Sequence, residues 1–91
     1  MRDRIIITLR AGSFEKDFEL PSRIPLRELY PRLTAALQKT SPMKFGDYTG
    51  VILEKEEAGL LSDDATLSDY GIVTGETLDI VRREKYDGFI R

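Results

Sequence analysis

Three carboxylates in the last third of the chain are the side chains best suited to holding a metal ion. Asp63 and Asp64 are adjacent, and Asp69 follows in the same segment. A helix–loop–helix calcium site also needs a glycine and a terminal glutamate at fixed positions, and neither falls at the required spacing. We therefore interpret these residues as a solvated acidic loop and expect no metal site.

The residue types needed for catalysis are scarce. The chain has no histidine and no cysteine, so it lacks the commonest general base and any thiolate nucleophile. Tyr70 is interpreted as a packing residue whose hydroxyl holds the loop at residues 62–65, because buried tyrosines usually find a partner. The turn glycines Gly12, Gly71 and Gly75 form no phosphate-binding pattern. We expect no enzyme and no cofactor.

Size and charge narrow the class of protein further. Ninety-one residues make one domain. Fourteen basic residues face sixteen acidic ones, and the net charge of −2 argues against nucleic-acid binding. No apolar run approaches the roughly 20 residues that span a bilayer, and the N-terminus does not resemble a signal peptide. These features predict a cytoplasmic protein without direct membrane insertion.

A β-hairpin is predicted at the start of the chain. Residues 4–10 and 16–20 each alternate between two faces, and a period of two is typical of strands. The connection at residues 11–13 is short and contains a glycine, which favours a hairpin. Pro21 is expected to end the second strand because it has no N–H for the ladder. One face of the first strand carries Ile5, Ile7 and Leu9.

A helix is predicted over residues 26–39. Pro25 lies at its entry, where a missing N–H costs little. Pro31 lies inside the periodic stretch and deletes a bond to the carbonyl of Arg27. We therefore expect a helix that is bent near Pro31 or regular only after it. Its apolar stripe consists of Leu26, Leu29, Leu33, Ala36 and Leu37.

The second half of the chain predicts short elements. Residues 40–50 are expected to be a loop, residues 51–53 start a third strand, and residues 60–61 suit a short fourth strand. Thr66 is expected to cap a turn, with Asp69 in the position of the capping-box acid. Glycine at position 71 suits a left-handed C-terminal residue.

The last strand completes the fold class. Leu78 and Ile80 are expected to point inward, and Thr77 and Asp79 outward. The element order is strand, strand, helix, strand, short strand, turn, strand. We predict an α+β fold: a mixed sheet of four to five strands with one main helix across a face. The domain is expected to span residues 1–82, with a flexible tail at residues 83–91.

This order and the stretch Thr66-Leu67-Ser68-Asp69-Tyr70 resemble the ubiquitin-like, β-grasp proteins. A closer resemblance is to the bacterial YukD/EsaB group associated with type VII secretion. It is carried by three features: Ile24-Pro25-Leu26-Arg27-Glu28-Leu29; Gly59-Leu60-Leu61 followed by a polar loop and Leu67-Ser68-Asp69-Tyr70-Gly71-Ile72; and Gly75-Glu76-Thr77-Leu78-Asp79-Ile80. The resemblance implies a non-catalytic, cytoplasmic accessory protein whose partners are proteins of the secretion machine.

Three other functions remain open. The chain is also compatible with a generic ubiquitin-like adaptor, or with the N-terminal ubiquitin-like domain of a secretion membrane component. A conjugated modifier or sulfur carrier is the least favoured, because those proteins use a C-terminal diglycine and this sequence ends Gly88-Phe89-Ile90-Arg91.

Two groups of residues are candidate protein-binding sites. Ile6, Ile52 and Val81 are predicted to form a small outward apolar surface, although scattered surface aliphatics are also common. Tyr86, Phe89 and Ile90 in the tail are predicted to dock on a partner, the alternatives being a linker or a frayed terminus. The sequence predicts neither the oligomeric state nor the partner.

Overall fold

The N-terminal hairpin forms as predicted. The computed structural model describes residues 3–83, where β1 (Arg4–Ala11) pairs antiparallel with β2 (Phe14–Pro21). Ala11 is the partner of Phe14, which leaves a two-residue connection in which Gly12 adopts a positive φ of 61°. Glycine enters this region without steric penalty. Pro21 is the last residue of β2, as expected.

The main helix, α1 (Leu26–Thr40), runs without interruption through Pro31. The alternative of a helix regular only after Pro31 is therefore wrong. Leu26, Leu29, Leu33 and Leu37 are buried on both sides of the proline. Burial of each leucine contributes roughly 1.5–3 kcal/mol. Together they outweigh the cost of about 3 kcal/mol for a proline in a helix.

A second, very short helix was not predicted. α2 (Pro42–Phe45) lies in the stretch expected to be a loop, with a proline in its first turn. Phe45 is fully buried and makes edge-to-face contacts with Phe14 and Tyr48, with ring centroids 5.0 Å apart in each case. The Gln38 side-chain amide donates to the carbonyls of Phe45 and Tyr48. Aromatic packing thus fixes a segment whose local sequence is a weak helix signal.

The remaining strands complete one mixed five-stranded sheet. β3 (Val51–Lys55) pairs antiparallel with the short β4 (Gly59–Leu60) and with β5 (Thr77–Arg82), and β5 pairs parallel with β1. The sheet order is β2-β1-β5-β3-β4. This arrangement confirms the predicted α+β fold with one main helix.

The turn before β5 confirms three predictions. Thr66 and Asp69 cap each other, since each side chain accepts the other's backbone N–H at 3.0 Å. Gly71 is left-handed with φ 70° after a 3₁₀ turn at Ser68–Tyr70. The Tyr70 hydroxyl accepts the N–H of Ser62 at 2.8 Å, and so holds the preceding loop as expected.

The core lies between α1 and one face of the sheet. The inward residues of the strands include Leu78 and Ile80, which are buried as predicted. Because side chains alternate along a strand, the other face of the sheet points away from the helix. The buried apolar residues are Ile7, Leu9, Leu20, Leu26, Leu29, Tyr30, Leu33, Leu37, Phe45, Val51, Leu53, Leu61, Leu67, Ile72, Leu78 and Ile80.

Candidate protein-binding surfaces

The outward face of the sheet carries two of the three predicted surface residues side by side. Ile52 on β3 and Val81 on β5 are direct cross-strand partners, and both are partly buried. Leu60 on β4 is the partner of Glu54, which makes it a diagonal neighbour of Ile52 on the same face. Its side chain is 54 % exposed. We call Ile52, Leu60 and Val81 the outer apolar patch.

Ile6 does not belong to this patch. In the β1–β5 register, Thr8 is the partner of Thr77. Ile6 precedes Thr8 by two residues and Val81 follows Thr77 by four. At about 3.3 Å per residue, Ile6 and Val81 therefore lie roughly 20 Å apart along the strand direction. Ile6 instead lies beside the turn before β5, where its N–H donates to the Thr74 hydroxyl. The structure therefore does not bring the three predicted residues together.

Leu60 was the member that sequence reasoning missed. The pair Leu60-Leu61 predicts a short strand, and adjacent strand residues must face opposite sides. Leu61 is fully buried, which leaves Leu60 outward. That alternation was the available signal.

An exposed ion pair lies beside the outer apolar patch. Asp79, between Leu78 and Ile80 on β5, accepts a hydrogen bond from the Arg10 guanidinium at 2.9 Å. Both side chains are about half exposed, so the pair contributes little to stability. A partner that covers the patch would meet this polar rim, which is the usual composition of a protein interface.

A half-buried ion pair closes the turn next to β5. Lys55 Nζ lies 2.8 Å from Glu76 Oε1 and 3.1 Å from Glu57 Oε1. Glu76 also accepts the N–H of Val73 at 3.0 Å. The hydrogen bond from Lys55 lowers the pKa of Glu76, and the bond to Val73 adds to this effect. The same hydrogen bond raises the pKa of Lys55. The pair positions the turn between Val73 and the last strand.

A groove of about 330 Å³ lies between α1 and the start of β3. Tyr30 forms part of its wall, and its hydroxyl donates to the Leu61 carbonyl at 2.8 Å and accepts the Leu53 N–H at 3.3 Å. Burial raises the pKa of Tyr30 to about 12. These bonds connect the helix to β3 and to the residue that follows β4, so Tyr30 has a structural role.

Arg83 crosses the same groove. Its guanidinium lies 2.9 Å from Asp63 Oδ1 and stacks over the Tyr30 ring at 5.2 Å. Its backbone N–H donates to the Gly50 carbonyl at 2.9 Å. The sequence predicts Arg83 as the first residue of the tail, whereas in the structure it makes these contacts with the domain. Tyr86, Phe89 and Ile90, the predicted docking residues, lie outside the described residues.

Neither a metal site nor a membrane span is found in the described part of the chain. Among residues 3–83, no group of three or more histidine, cysteine, aspartate or glutamate side chains is placed to hold a metal ion. No helix within these residues has both the length and the apolar character required to cross a membrane.

Solved structures with the same fold include several from secretion systems. The ubiquitin-like domain of the Mycobacterium tuberculosis type VII secretion system protein EccD1 superposes with a TM-score of 0.73 at 22% identity, covering 86% of this chain and 97% of that one. The EccD5 ubiquitin-like domain from Mycobacterium xenopi gives a TM-score of 0.75 at 13% identity, covering 92% and 99%. These likenesses show a ubiquitin-like fold.

A third similarity is to part of a longer chain. Protomer 1 of the ESX-3 core complex gives a TM-score of 0.62 at 26% identity, over 89% of this chain and 16% of that chain. No curated protein sequence matches the chain. Residues 4–80 match the family described as "WXG100 protein secretion system (Wss), protein YukD". Because the match covers most of the sequence, the chain belongs to the YukD family of ubiquitin-like proteins associated with type VII secretion.

Proposed function

We propose that this protein is a non-catalytic accessory component of a bacterial type VII secretion system, and that it acts in the cytoplasm by protein–protein contact. The observation that carries the proposal is the outer apolar patch. Ile52, Leu60 and Val81 lie together on the sheet face that α1 does not cover. Apolar side chains that cluster within a polar rim are characteristic of protein-binding surfaces.

The family relationship supplies the proposed setting for this contact. The matched family is that of a secretion protein, and the similar ESX-3 chain is part of a core complex. A fold alone does not fix a function. The secretion role is therefore argued from the family match, and the mode of action from the patch.

A second candidate is the N-terminal ubiquitin-like domain of a larger membrane component. The similarity to ESX-3 protomer 1 favours it, since the matched region makes up only 16% of that chain. In this version the same patch contacts a neighbouring subunit of the membrane complex. Immunoblotting of fractionated host cells distinguishes the two: a band near 10 kDa in the cytosol supports the accessory protein, and a larger membrane-bound band supports the domain.

The proposed contact is tested by capture from the native host. The protein is immobilised, cross-linked to host extract, and the captured proteins are identified by mass spectrometry. We expect secretion-machine components, and we expect Ile52→Asp or Leu60→Asp to abolish their capture. Val73→Asp is the matched control, because Val73 is 59 % exposed and lies at the opposite end of the sheet.

Three results would overturn the proposal. Equal capture by the wild type and both patch variants would show that the patch is not the contact surface. Formation of an adenylate adduct with ATP and an activating enzyme, seen by intact mass, would favour the modifier or sulfur-carrier class instead. Capture of proteins from another pathway, without secretion-machine components, would favour the generic adaptor role instead.

A further inference from the structure

The strand β2 forms one edge of the sheet. Within residues 3–83 its only strand neighbour is β1, along the whole of Phe14–Pro21. An edge of this length presents a row of backbone groups able to pair with another strand. The outer apolar patch lies on the far side of the sheet, on β3, β4 and β5. The two surfaces are therefore separate.

Hydrogen bonds of β1 show which backbone groups of β2 point outward. The Thr8 N–H donates to the Glu76 carbonyl, and the Ile6 carbonyl accepts the Gly75 N–H. Both β1 residues thus direct their backbone away from β2. In an antiparallel ladder their partners do the same. Asp17 and Glu19, the partners of Thr8 and Ile6, therefore direct their N–H and C=O groups to the open edge.

The same residues carry negative side chains on the outward face. Glu15, Asp17 and Glu19 are all exposed, and they alternate with Lys16 and Phe18 on the other face. Asp17 accepts a hydrogen bond from the Thr8 hydroxyl at 2.6 Å, which fixes its carboxylate above the strand. A strand added to this edge would place every second side chain beside these carboxylates. Lysine or arginine at those positions complements them.

The inward side of the edge is apolar toward Pro21, whereas Lys16 lies on the same face nearer the hairpin turn. A groove of about 220 Å³ runs between β2 and α1, and Phe18 and Leu20 form its sheet side. Leu29, Leu33 and Ala36 form its helix side. Its charged lining residues are Arg32 on the helix, Arg4 at the strand end and Glu19 on β2. The intervening side chains of an added strand would enter this groove, where valine, isoleucine or leucine fits and the Arg32 charge disfavours a cation.

We propose that the β2 edge binds an extended segment of a partner protein as an additional antiparallel strand, in which lysine or arginine alternates with valine, isoleucine or leucine. Backbone bonds supply affinity in this binding mode, and alternate side chains supply specificity. A second copy of the chain does not fit. Antiparallel pairing of two β2 strands would place the carboxylates at positions 15, 17 and 19 opposite one another, which is destabilising.

The proposal is tested with a fluorescein-labelled peptide, Lys-Val-Lys-Ile-Lys-Val-Lys, added to the full-length protein. Fluorescence anisotropy measures affinity, and backbone amide shifts by nuclear magnetic resonance locate the site. We expect this peptide to bind at least about tenfold more tightly than Lys-Lys-Val-Ile-Val-Lys-Lys, which has the same composition without the alternation. The amide shifts should concentrate at residues 15, 17 and 19.

Changes to the peptide backbone test strand pairing without altering the protein. N-methylation of the two inner lysines removes the N–H groups that face β2 in the antiparallel register, and it should abolish binding. N-methylation of the two valines, whose N–H groups face away, should leave affinity within about threefold. Equal affinity of all three peptides, or loss confined to the valine-methylated one, overturns the proposal.

Two protein variants separate charge from backbone pairing. Glu19→Gln keeps the outward N–H and should weaken binding about threefold. Glu19→Pro also removes that N–H without touching the β1 ladder, and edge strands tolerate proline there; we expect a further loss of at least tenfold. Glu57→Gln, a charge change near the opposite edge, should have no effect. Amide shifts centred on the outer apolar patch would also overturn the proposal, while leaving the proposed secretion contact standing.

Discussion

The Tyr30 hydroxyl donates a 2.8 Å hydrogen bond to the carbonyl of Leu61. It also accepts the N–H of Leu53, so one phenol on the helix satisfies a backbone group of β3 and another in the residue that follows β4. Tyr30 is only 3 % exposed, which keeps water from replacing it. A single oxygen thus connects the two layers of the fold.

The first prediction concerns removal of this oxygen. Tyr30→Phe should lower the free energy of unfolding by about 1–3 kcal/mol, because buried backbone groups lose their partner. Tyr70→Phe is the matched control: its hydroxyl bonds to Ser62 at the exposed surface. Denaturant titration of both variants checks the order of the two losses. A smaller loss for Tyr30→Phe than for Tyr70→Phe would contradict it.

Alkaline pH provides a second test of Tyr30. Burial raises the pKa of Tyr30 to about 12 in the folded state, above the value near 10 of an unfolded tyrosine. Between about pH 10 and 12 the unfolded state therefore binds fewer protons, and stability falls as pH rises. The contribution is complete below pH 10 and amounts to roughly 3 kcal/mol at most.

The alkaline loss is measured by denaturant titration at several pH values. Lys55, whose pKa is raised by Glu76, loses its charge at high pH as well, so the wild type alone does not isolate Tyr30. The comparison with Tyr30→Phe does. We expect the variant to show a shallower decline between pH 10 and 12. Parallel curves for the two proteins would refute the assignment.

The reciprocal cap before β5 gives a third prediction. Thr66→Ala and Asp69→Ala should each reduce stability by about 1 kcal/mol, because each removes an acceptor for a backbone N–H of the turn. The double variant should lose less than the sum, since the two bonds belong to one motif. Ser68→Ala, an exposed substitution within the same turn, serves as the control. Thermal melts of the four variants supply the comparison.

The Lys55–Glu76 pair gives a fourth prediction. Glu76→Gln should lower the melting temperature by roughly 5 °C, because it weakens the bonds to both Lys55 and the Val73 N–H. Glu57→Gln should have a much smaller effect, since the Glu57 side chain is 76% exposed. Differential scanning calorimetry at neutral pH measures both.

The Lys55–Glu76 pair also predicts how the melting temperature changes at acidic pH. The pKa of Glu76 is lowered in the folded state, so its contribution is present above the unfolded pKa. It is lost as pH falls through the lower folded value. The Glu76→Gln variant should therefore show a smaller drop in melting temperature between pH 5 and 3 than the wild type. An equal drop would contradict the role of the pair.

Adjacent leucines provide the fifth prediction. Leu61→Ala should destabilise the domain by about 2–5 kcal/mol, because Leu61 is fully buried. Leu60→Ala should change stability by no more than about 0.5 kcal/mol, because its side chain is mostly exposed. The pair checks the orientation of β4 by denaturant titration. Similar losses for the two would place Leu60 in the core.

The sequence predicted which side of the sheet a residue faces better than it predicted which residues are neighbours across the strands. Alternation correctly separated Leu78 and Ile80 from their neighbours, since a period of two assigns each residue to one side of a sheet. It also placed Ile6 and Val81 on the outward side. Whether two outward residues are neighbours depends on strand order and register, which alternation does not contain. Ile6 and Val81 therefore lie at opposite ends of the sheet.

Local rules succeeded where a motif is self-contained and failed where packing decides. The cap at Thr66 and Asp69 was readable because both halves lie within four residues. The short helix ending at Phe45 was not, because distant aromatic side chains stabilise it. Packing also decides at Pro31, because the leucine stripe buried against the sheet keeps α1 continuous through the proline.

β5, the last strand within residues 3–83, lies between β1 and β3 at the centre of the sheet. During synthesis, neither the first hairpin nor the strand after α1 can acquire its central neighbour until residues 77–82 have left the ribosome. A nascent chain that stalls earlier therefore exposes two strand edges at once, which invites aggregation. The sheet can therefore be completed only after β5 has been synthesised. A truncation before β5 leaves β1 and β3 without their shared neighbour.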